Sequence, residues 1–482
     1  GYSDQSWNCI AIGSHTGHTS QDTSSIAIGF YSAFNNQDFQ SIAIGSNTAY
    51  TNQSYQSIAL GSYSGHTNQR HDSIAIGSYA GNTDQSYNSI ALGYYAGHTN
   101  QKENSIAIGP NAAKTNQDSS AIAIGQSAGH TNQALQSIAI GNYTGLTDQS
   151  TNSIAIGNYA AWRTQDTSSI AIGNQAAYQD QSYNAISLGS SAGYSRQGHH
   201  SIAIGTNSAH SNQENNSISI GTNAGYSDQS INSISIGSNS GYQNQDSSSI
   251  AIGNYAGYSD QSINSIAIGG GAANINQGPN SIAIGTNSAY SKQSFNSIAI
   301  GLNSGHTDQS YNSIAIGNSA GNIKQGGESI AIGINAGKTR QHRYSIAIGH
   351  SAGFSDQSQN SIAIGNQAAL TNQKMHSIAI GYYSGFQNQD NSSISIGYAS
   401  ARFNQGENSI ALGSHAGDNN QKSTSIAIGS YAAASNQDIS SIAIGNYAGY
   451  NNQDYDSIAI GSRAGYSDQS WNCIAIGSHS GH

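Results

Sequence analysis

The sequence predicts an all-β protein: a parallel β-solenoid, or β-roll, of thirty coils with 16 residues in each coil. The first observation is a strict period. A pentapeptide that first occurs as Cys9-Ile10-Ala11-Ile12-Gly13 recurs every 16 residues, with small variations and no insertion or deletion, as far as Cys473-Ile474-Ala475-Ile476-Gly477. The second is its composition, since β-branched residues followed by a glycine are typical of short strands. The third is the coil length, because a helical hairpin repeat needs about 34 residues. We therefore expect one continuous repeat array over residues 1–482.

The pentapeptide is predicted to be a strand with two different faces. In residues 73–88, taken as the example coil, Ile74 and Ile76 point to one side, and Ser73, Ala75 and Gly77 point to the other. We predict that the isoleucines form the core of the coil. The corresponding core residues of the first coils are Ile10, Ile12, Ile26, Ile28, Ile42 and Ile44. Because both faces are non-polar or small, the second face is expected to meet another copy of the chain.

The rest of the coil contains turn signals. A glycine stands at the position of Gly77 in every coil, which suggests a positive φ or a close approach of the backbone. Ala80 and Gly81 have only small counterparts, which indicates a tight interior where the coil folds back. Residues 82–85 are predicted as a turn, because Asn and Asp bond to their own backbone and tolerate the left-handed conformation.

Glutamine occupies the last position of that turn in every coil. Its first six members are Gln5, Gln21, Gln37, Gln53, Gln69 and Gln85. Stacked identical amides can hydrogen-bond to one another along a solenoid axis. Buried amides need partners, and a continuous ladder supplies them. We predict a structural glutamine ladder, with a binding role as the alternative.

Aromatic residues fill variable positions in three stripes. One stripe includes His18, Phe34 and Tyr50, a second includes Tyr63, Tyr79 and Tyr95, and a third includes Phe39, Tyr55 and Tyr87. These stripes are expected to face solvent or a neighbouring subunit. Stacked rings would stabilise adjacent strands by roughly 0.2–1 kcal/mol per pair. Two interpretations remain: stabilisation with lateral packing, or binding of glycans or surfaces.

The two cysteines, Cys9 and Cys473, occupy the same coil position. They are separated by 29 coils. That is about 140 Å at roughly 4.8 Å per coil, so they cannot bond to each other within one straight rod. Each is either a free core cysteine or a possible inter-chain contact through a disulfide between neighbouring chains.

Composition excludes several classes of function. Charged residues make up 8% of the chain, against about 25% in typical proteins. The net charge of -10 argues against a nucleic-acid partner. We find no metal-ligand spacing, no nucleophile context and no phosphate loop, and we expect no enzyme activity, no metal and no cofactor.

The ends of the sequence bear on its extent. We find no signal peptide and no membrane-spanning run, and we expect no membrane insertion in this segment. Residues 1–18 match residues 465–482 except at Thr16 and Ser480. We therefore expect a window of a longer repetitive protein.

The motif Ser-Ile-Ala-Ile-Gly-x-x-Ala, as in residues 153–160, resembles the head repeat of the trimeric autotransporter adhesins (the YadA-like head) and related bacterial or viral fibre proteins. The resemblance extends coil by coil over the whole chain. It implies a left-handed parallel β-roll, three chains packed into a rod, and surface display with adhesion to host matrix. The family repeat is about 14 residues with a second strand, whereas here the second strand is replaced by the small pair and the turn ending in Gln.

We predict a structural component of an extracellular or cell-surface fibre: a stiff β-solenoid rod that assembles with itself laterally and end to end. The alternative is an adhesin head that binds glycans or a matrix protein through the aromatic stripes. A third possibility, an ice- or mineral-binding solenoid, would need a regular Thr array, and no position is consistently Thr.

Overall fold

A computed structural model describes residues 3–481, which divide into two units between Gln243 and Asn244. Within the described range both units consist of β-strands of three residues joined by turns, and neither contains a helix. The strands belong to two series, which alternate along the chain.

The first series contains the isoleucines of the pentapeptide, and its members are called the Ile strands. In the first unit they are Ile10–Ile12, Ile26–Ile28, Ile42–Ile44, Ile58–Leu60, Ile74–Ile76, Ile90–Leu92, Ile106–Ile108, Ile122–Ile124, Ile138–Ile140, Ile154–Ile156, Ile170–Ile172, Ile186–Leu188, Ile202–Ile204, Ile218–Ile220 and Ile234–Ile236. In the second unit they are Ile250–Ile252, Ile266–Ile268, Ile282–Ile284, Ile298–Ile300, Ile314–Ile316, Ile330–Ile332, Ile346–Ile348, Ile362–Ile364, Ile378–Ile380, Ile394–Ile396, Ile410–Leu412, Ile426–Ile428, Ile442–Ile444, Ile458–Ile460 and Ile474–Ile476.

The second series ends at the repeated glutamine, and its members are called the Gln strands. In the first unit they are Ser3–Gln5, Thr19–Gln21, Asn35–Gln37, Thr51–Gln53, Thr67–Gln69, Thr83–Gln85, Thr99–Gln101, Thr115–Gln117, Thr131–Gln133, Thr147–Gln149, Gln179–Gln181, Ser195–Gln197, Ser211–Gln213 and Ser227–Gln229. Gln243–Gln245 lies at the division. In the second unit they are Ser259–Gln261, Ile275–Gln277, Ser291–Gln293, Thr307–Gln309, Ile323–Gln325, Thr339–Gln341, Ser355–Gln357, Thr371–Gln373, Gln387–Gln389, Phe403–Gln405, Asn419–Gln421, Ser435–Gln437, Asn451–Gln453 and Ser467–Gln469.

Within each unit, strands pair in parallel with the equivalent strand 16 residues further on. Ile74 lies opposite Ile90 in the Ile strands, and Thr83 lies opposite Thr99 in the Gln strands. Backbone bonds at the strand ends repeat in the same way, as from Ile74 N to Ser89 O at 2.9 Å. This confirms the predicted all-β parallel solenoid with a 16-residue coil. Its left-handedness and its continuity over residues 1–482 stay predictions.

The interior of the coil is lined by small residues and glutamine, and the predicted isoleucine core is wrong for the single chain. Ala75, Ala80 and Gln85 are fully buried, whereas Ile74 and Ile76 are half-buried on the outer side. The residues predicted as core have the same placement: Ile26, Ile28, Ile42 and Ile44 are half-buried, and Ile10 and Ile12 are 44% and 58% exposed.

The narrow interior of the coil explains why alanine, and not isoleucine, points inward. A Cβ atom built on Gly81 would lie 3.2 Å from the Cβ of Ala75, which belongs to the facing strand. The two walls of the coil therefore approach so closely that an alanine fills the space between them. Since side chains alternate along a strand, placing alanine inside turns both flanking isoleucines outward.

The turns place a positive φ at five positions of the coil, and in the coil of residues 153–168 only the position of Thr164 departs from this. In the example coil these are Gly77 (126°), Tyr79 (57°), Gly81 (48°), Asp84 (55°) and Asn88 (56°). At Gly77 an added Cβ would lie 2.6 Å from the carbonyl oxygen of Gly93 in the next coil, which confirms the predicted close approach. The other four positions are left-handed, a region that Asn, Asp and Gly enter at the least cost.

Residues 82–85 are not a simple turn, which corrects a second prediction. Thr83–Gln85 is a strand in register with its neighbours, although Asp84 at its centre is left-handed. The left-handed residue was predicted correctly from the sequence, but the strand pairing of the residues on either side of it was not predicted. In one coil the Gln strand is reduced to isolated bridges at Gln165. There Thr164 stands at the position that is left-handed in the other coils but has no positive φ, since a β-branched residue avoids that region.

Candidate functional site

One candidate for an interaction surface is formed by the isoleucine or leucine residues at the first and third positions of each Ile strand, and we call it the isoleucine face. The parallel register places these side chains in two columns, as Ile74 beside Ile90 and Ile76 beside Leu92. Members of the third-position column are exposed in both units, among them Leu60, Leu92 and Ile396. A contiguous apolar surface of this kind marks an interaction site in a soluble protein.

The glutamine ladder lies inside the coils. Gln53, Gln69 and Gln85 are buried, and the Nε2 of each donates to the Oε1 of the next glutamine at 3.2 Å. The same Nε2 of Gln85 also donates to the carbonyl oxygen of Ile74 at 2.9 Å. The amides therefore bond both to one another and to the backbone of the Ile strands, and they tie the two strand series together.

The ladder has ends and interruptions. Gln5 is exposed and donates to Gln21 at 3.1 Å, and Gln37 donates to Gln53 at 3.1 Å. The Oε1 of Gln37, however, is buried and accepts no hydrogen bond from the described part of the chain. From Gln21 onward the glutamine side chains are buried, so their amides are not accessible to a ligand, as the alternative binding role would require.

Two aromatic columns meet at one corner of the coil, and together we call them the aromatic edge. It comprises the positions equivalent to Tyr79 and to Asn82. Rings within one column stack, as Tyr63 on Tyr79 at 4.9 Å and Tyr79 on Tyr95 at 4.7 Å. Rings of the two columns also touch each other, as Tyr63 and His66 at 5.3 Å. The third stripe is separate, with Phe39 stacked on Tyr55 at 5.2 Å.

Histidines of the aromatic edge are less basic than free histidine. Burial lowers the pKa of His66, His210 and His306. Burial also lowers the pKa of His98 and His130, with a further contribution from the positive charge of Lys114 between them. These rings are therefore held in their neutral form to a lower pH than a free histidine.

The outer side of the Gln strands forms a polar groove that the sequence analysis missed. The left-handed Asn residues of successive coils hydrogen-bond to one another, as Asn36 Nδ2 to Asn52 Oδ1 at 3.1 Å. One stretch of the groove, with a cavity volume of ≈ 560 Å³, is lined by residues that include Asn116 and Asp118. The signal in the sequence was the recurrence of Asn, Asp, Lys and Arg at one position of the 16-residue period.

The remaining sequence-predicted residues lie apart from these surfaces. Cys9 is half-buried, with its Sγ 2.9 Å from the carbonyl oxygen of Asp22, and Cys473 is exposed. Neither forms a disulfide within the chain, and the bond between chains stays a prediction. Among residues 3–481 no group of three or more His, Cys, Asp or Glu is placed to hold a metal ion. Over the same range the structure contains no helix with the length and hydropathy needed to span a membrane.

Comparison with known proteins gives one family match. Residues 277–288 match the YadA head domain repeat, in two copies. They contain a complete Ile strand within Ser281-Ile282-Ala283-Ile284-Gly285, and the small residue Ser288 that follows it. No curated protein matches the chain. The matched residues and the repeated coil together show that this chain carries a YadA-like head repeat.

Proposed function

We propose that the chain is a structural component of an extracellular or cell-surface fibre, in which its isoleucine face packs against the same face of other copies. The single observation that carries the proposal is the incomplete burial of two apolar columns along the Ile strands of both units, half-buried at the first position and exposed in several coils at the third. Covering them in an assembly would gain about 25 cal/mol for each Å² of apolar surface removed from water. The proposed role is structural and not enzymatic.

The family match supports this proposal. YadA-type proteins are trimeric and displayed on the cell surface. The same arrangement would give each chain two neighbours and would let three isoleucine faces enclose one shared apolar core. The interior alanines are too small to provide a large core within a single coil, so an inter-chain core would add the missing apolar burial.

Charge substitutions on the isoleucine face test the proposal. Ile396 and Ile444 are 39% and 36% exposed on that face, and changing both to Glu would put charge into the proposed contact. Matched controls exist, because Ile275 and Ile323 are 38% and 40% exposed but lie on the outer side of Gln strands. We expect I396E/I444E to lower the particle mass measured by sedimentation and light scattering, and I275E/I323E to leave it unchanged.

The particle mass of the unchanged protein also reports the number of chains, with three expected. A monomeric unchanged protein, or equal loss of assembly in both double variants, would contradict packing through the isoleucine face. The circular dichroism of each variant shows whether its strands are intact.

Adhesion is a second candidate function, and the aromatic edge is the observation that favours it. Its rings form stacked columns whose members, such as Tyr63 and Tyr79, are half-exposed and not enclosed. Aromatic side chains with an apolar face and a polar end are common at binding surfaces. The test is saturable binding of matrix proteins or glycans, with loss in Tyr63→Ser/Tyr79→Ser and retention in I275E/I323E.

A further inference from the structure

Positive charge is concentrated in one short part of an otherwise acidic chain. The sequence has 14 Lys and Arg residues and a net charge of -10. Four of the 14, Lys324, Lys338, Arg340 and Arg343, fall within residues 324–343. That is little more than one coil, so the clustering makes this segment locally basic.

Three of these cations line a notch in the polar groove. Lys324, Arg340 and Arg343 line a cavity of ≈ 560 Å³ together with Asp308, Gly326 and Gly327. The cations and the two glycines come from consecutive coils of the second unit. All three charged side chains are exposed, so the notch is open to solvent.

The charges in the notch are only partly neutralised. Arg340 forms a two-pronged ion pair with Asp356, with contacts of 2.6 and 2.8 Å. Lys324 has no ion pair with any residue of the described range. The guanidinium carbon of Arg343 lies 5.5 Å from the ring centroid of Tyr311, which holds the side chain near the notch without cancelling its charge.

Gly327 permits that placement of Arg343. A Cβ on Gly327 would lie 2.9 Å from Cζ of Tyr311, so the Tyr311 ring lies directly against this glycine. Arg343 can therefore reach a ring two coils away, over a position that bears no side chain. The guanidinium is positioned by a cation–π contact, and its N–H groups can still bind an anion.

Two carboxylates accompany these cations: Asp308 lines the notch itself, and Asp356 pairs with Arg340. Asp308, 16 residues before Lys324, lies 3.8 Å from Lys292, and Asp356 lies 16 residues after Arg340. A long, densely charged polyanion would have to cross these carboxylates. Repulsion by these carboxylates disfavours binding of such a polyanion and so contributes to specificity.

We propose that this notch, formed by Lys324, Arg340 and Arg343, binds a carbohydrate that has isolated sulfate or carboxylate groups. The cations receive the anionic group, and the hydroxyl of Ser310, which lines the notch, bonds to the sugar. Tyr344, the residue after Arg343, is 44% exposed. The inference does not depend on assembly through the isoleucine face, which lies on the other strand series.

The test uses the full chain and a fluorescent sulfated tetrasaccharide, with a carboxylated and an uncharged tetrasaccharide in parallel. We expect saturable binding of the two charged sugars. The double variant Lys324→Gln/Arg343→Gln should lose about tenfold or more in affinity, because two charge-assisted contacts disappear. Lys374→Gln removes an exposed lysine that lies outside the notch, and should bind as the unchanged protein does.

A charge-retaining variant and a nucleic-acid probe complete the experiment. Lys324→Arg should keep the affinity within a few-fold, and a short DNA duplex should bind more weakly than the sulfated sugar. The proposal fails if the charged sugars do not bind, or if Lys374→Gln and the double variant lose affinity equally. Preferential binding of the duplex would assign the notch to nucleic acid and overturn the carbohydrate proposal. The particle mass of each notch variant should equal that of the unchanged protein. A change in sugar affinity then cannot be attributed to a change in assembly.

Discussion

Replacing one ladder glutamine should open the solenoid locally. Gln85→Leu keeps the approximate size of the side chain but removes its amide. The donor bonds to Ile74 O (2.9 Å) and Gln101 Oε1 (3.2 Å) are lost. Two net hydrogen bonds are worth about 2 kcal/mol, and a buried acceptor left without a donor costs about 1–3 kcal/mol more. We expect the free energy of local opening to fall by about 3–5 kcal/mol, which is a factor of about 100 or more in hydrogen exchange.

Hydrogen exchange with mass spectrometry measures this effect in the full chain. The reporting amides include Thr83 and Ser86, which donate to the next coil at 2.9 and 2.8 Å. Because each coil contacts only its neighbours, protection around Ile218–Ile220 should not change. Gln56→Leu is the matched control, since Gln56 is exposed, and surface changes usually stay within about 0.5 kcal/mol. Equal exchange in the Gln85→Leu and Gln56→Leu proteins would refute the structural ladder.

Four further substitutions concern the turns and the aromatic edge. Gly77→Ala should destabilise its coil by about 3 kcal/mol or more, because the new Cβ would meet the next coil's backbone at a φ of 126°. Gly81→Ala should cost less than about 1 kcal/mol, since alanine occupies that position in other coils with nearly the same φ; exchange of each coil's amides compares the two. Thr164→Asn should restore a Gln strand and increase protection of the Gln165 amide, measured in the same way. Lys114→Gln should raise the pKa of His98, because it removes one of the two causes that lower it, and histidine NMR titration measures the shift.

Each of these predictions has an internal control. Ala33 occupies the position equivalent to Gly81 at a φ of 48°, so an alanine side chain is tolerated at that position. Thr167→Asn changes an exposed threonine in the same coil as Thr164 and should leave Gln165 unaffected. His66 should titrate identically in the Lys114→Gln protein, because burial alone lowers its pKa. A shift at His66 equal to that at His98 would contradict the assignment to Lys114.

The lowered histidine pKa values also set the direction of pH dependence. The unfolded chain binds protons at the ordinary pKa of 6.5, and the folded chain does so only at lower pH. The contribution of these rings to stability is therefore complete above pH 6.5 and decreases as the pH falls through the folded-state values. Thermal unfolding of the edge should occur at lower temperature at mildly acidic pH than at neutral pH.

The period, strand direction and register could be predicted from the sequence because they follow from an uninterrupted repeat. Equivalent residues such as Ile74 and Ile90 have no alternative partner once coils of 16 residues stack. The glycine at position 77 was also recognisable, since every coil contains one. These features depend on residue spacing and on the backbone properties of glycine, and both can be read from the sequence.

The inward face could not be predicted from hydrophobicity. Ile74 and Ile76 are more apolar than Ala75, so hydrophobicity favours them as core, but the width of the coil decides in favour of alanine. A signal was present in Ala80 and Gly81, whose small size already indicated a narrow interior. Because side chains alternate along the strand, a narrow interior accommodates only the face that contains Ala75.

The Gln strand and the basic notch were missed for different reasons. A left-handed residue such as Asp84 normally ends a strand, and only the stacking of identical coils lets the ladder continue on both sides of it. The notch depends on contacts between coils, such as that of Arg343 with Tyr311 across Gly327, which residue types alone do not reveal.

Cryo-electron microscopy of the assembled native material would show which strand series makes the contacts between chains. We expect coils separated by about 4.8 Å, with alanine and glutamine inside each coil and isoleucine columns such as that of Ile76 at the contacts between chains. Density that shows separate chains with the isoleucine columns in solvent, or contacts made only through the Gln strands, would contradict packing through the isoleucine face.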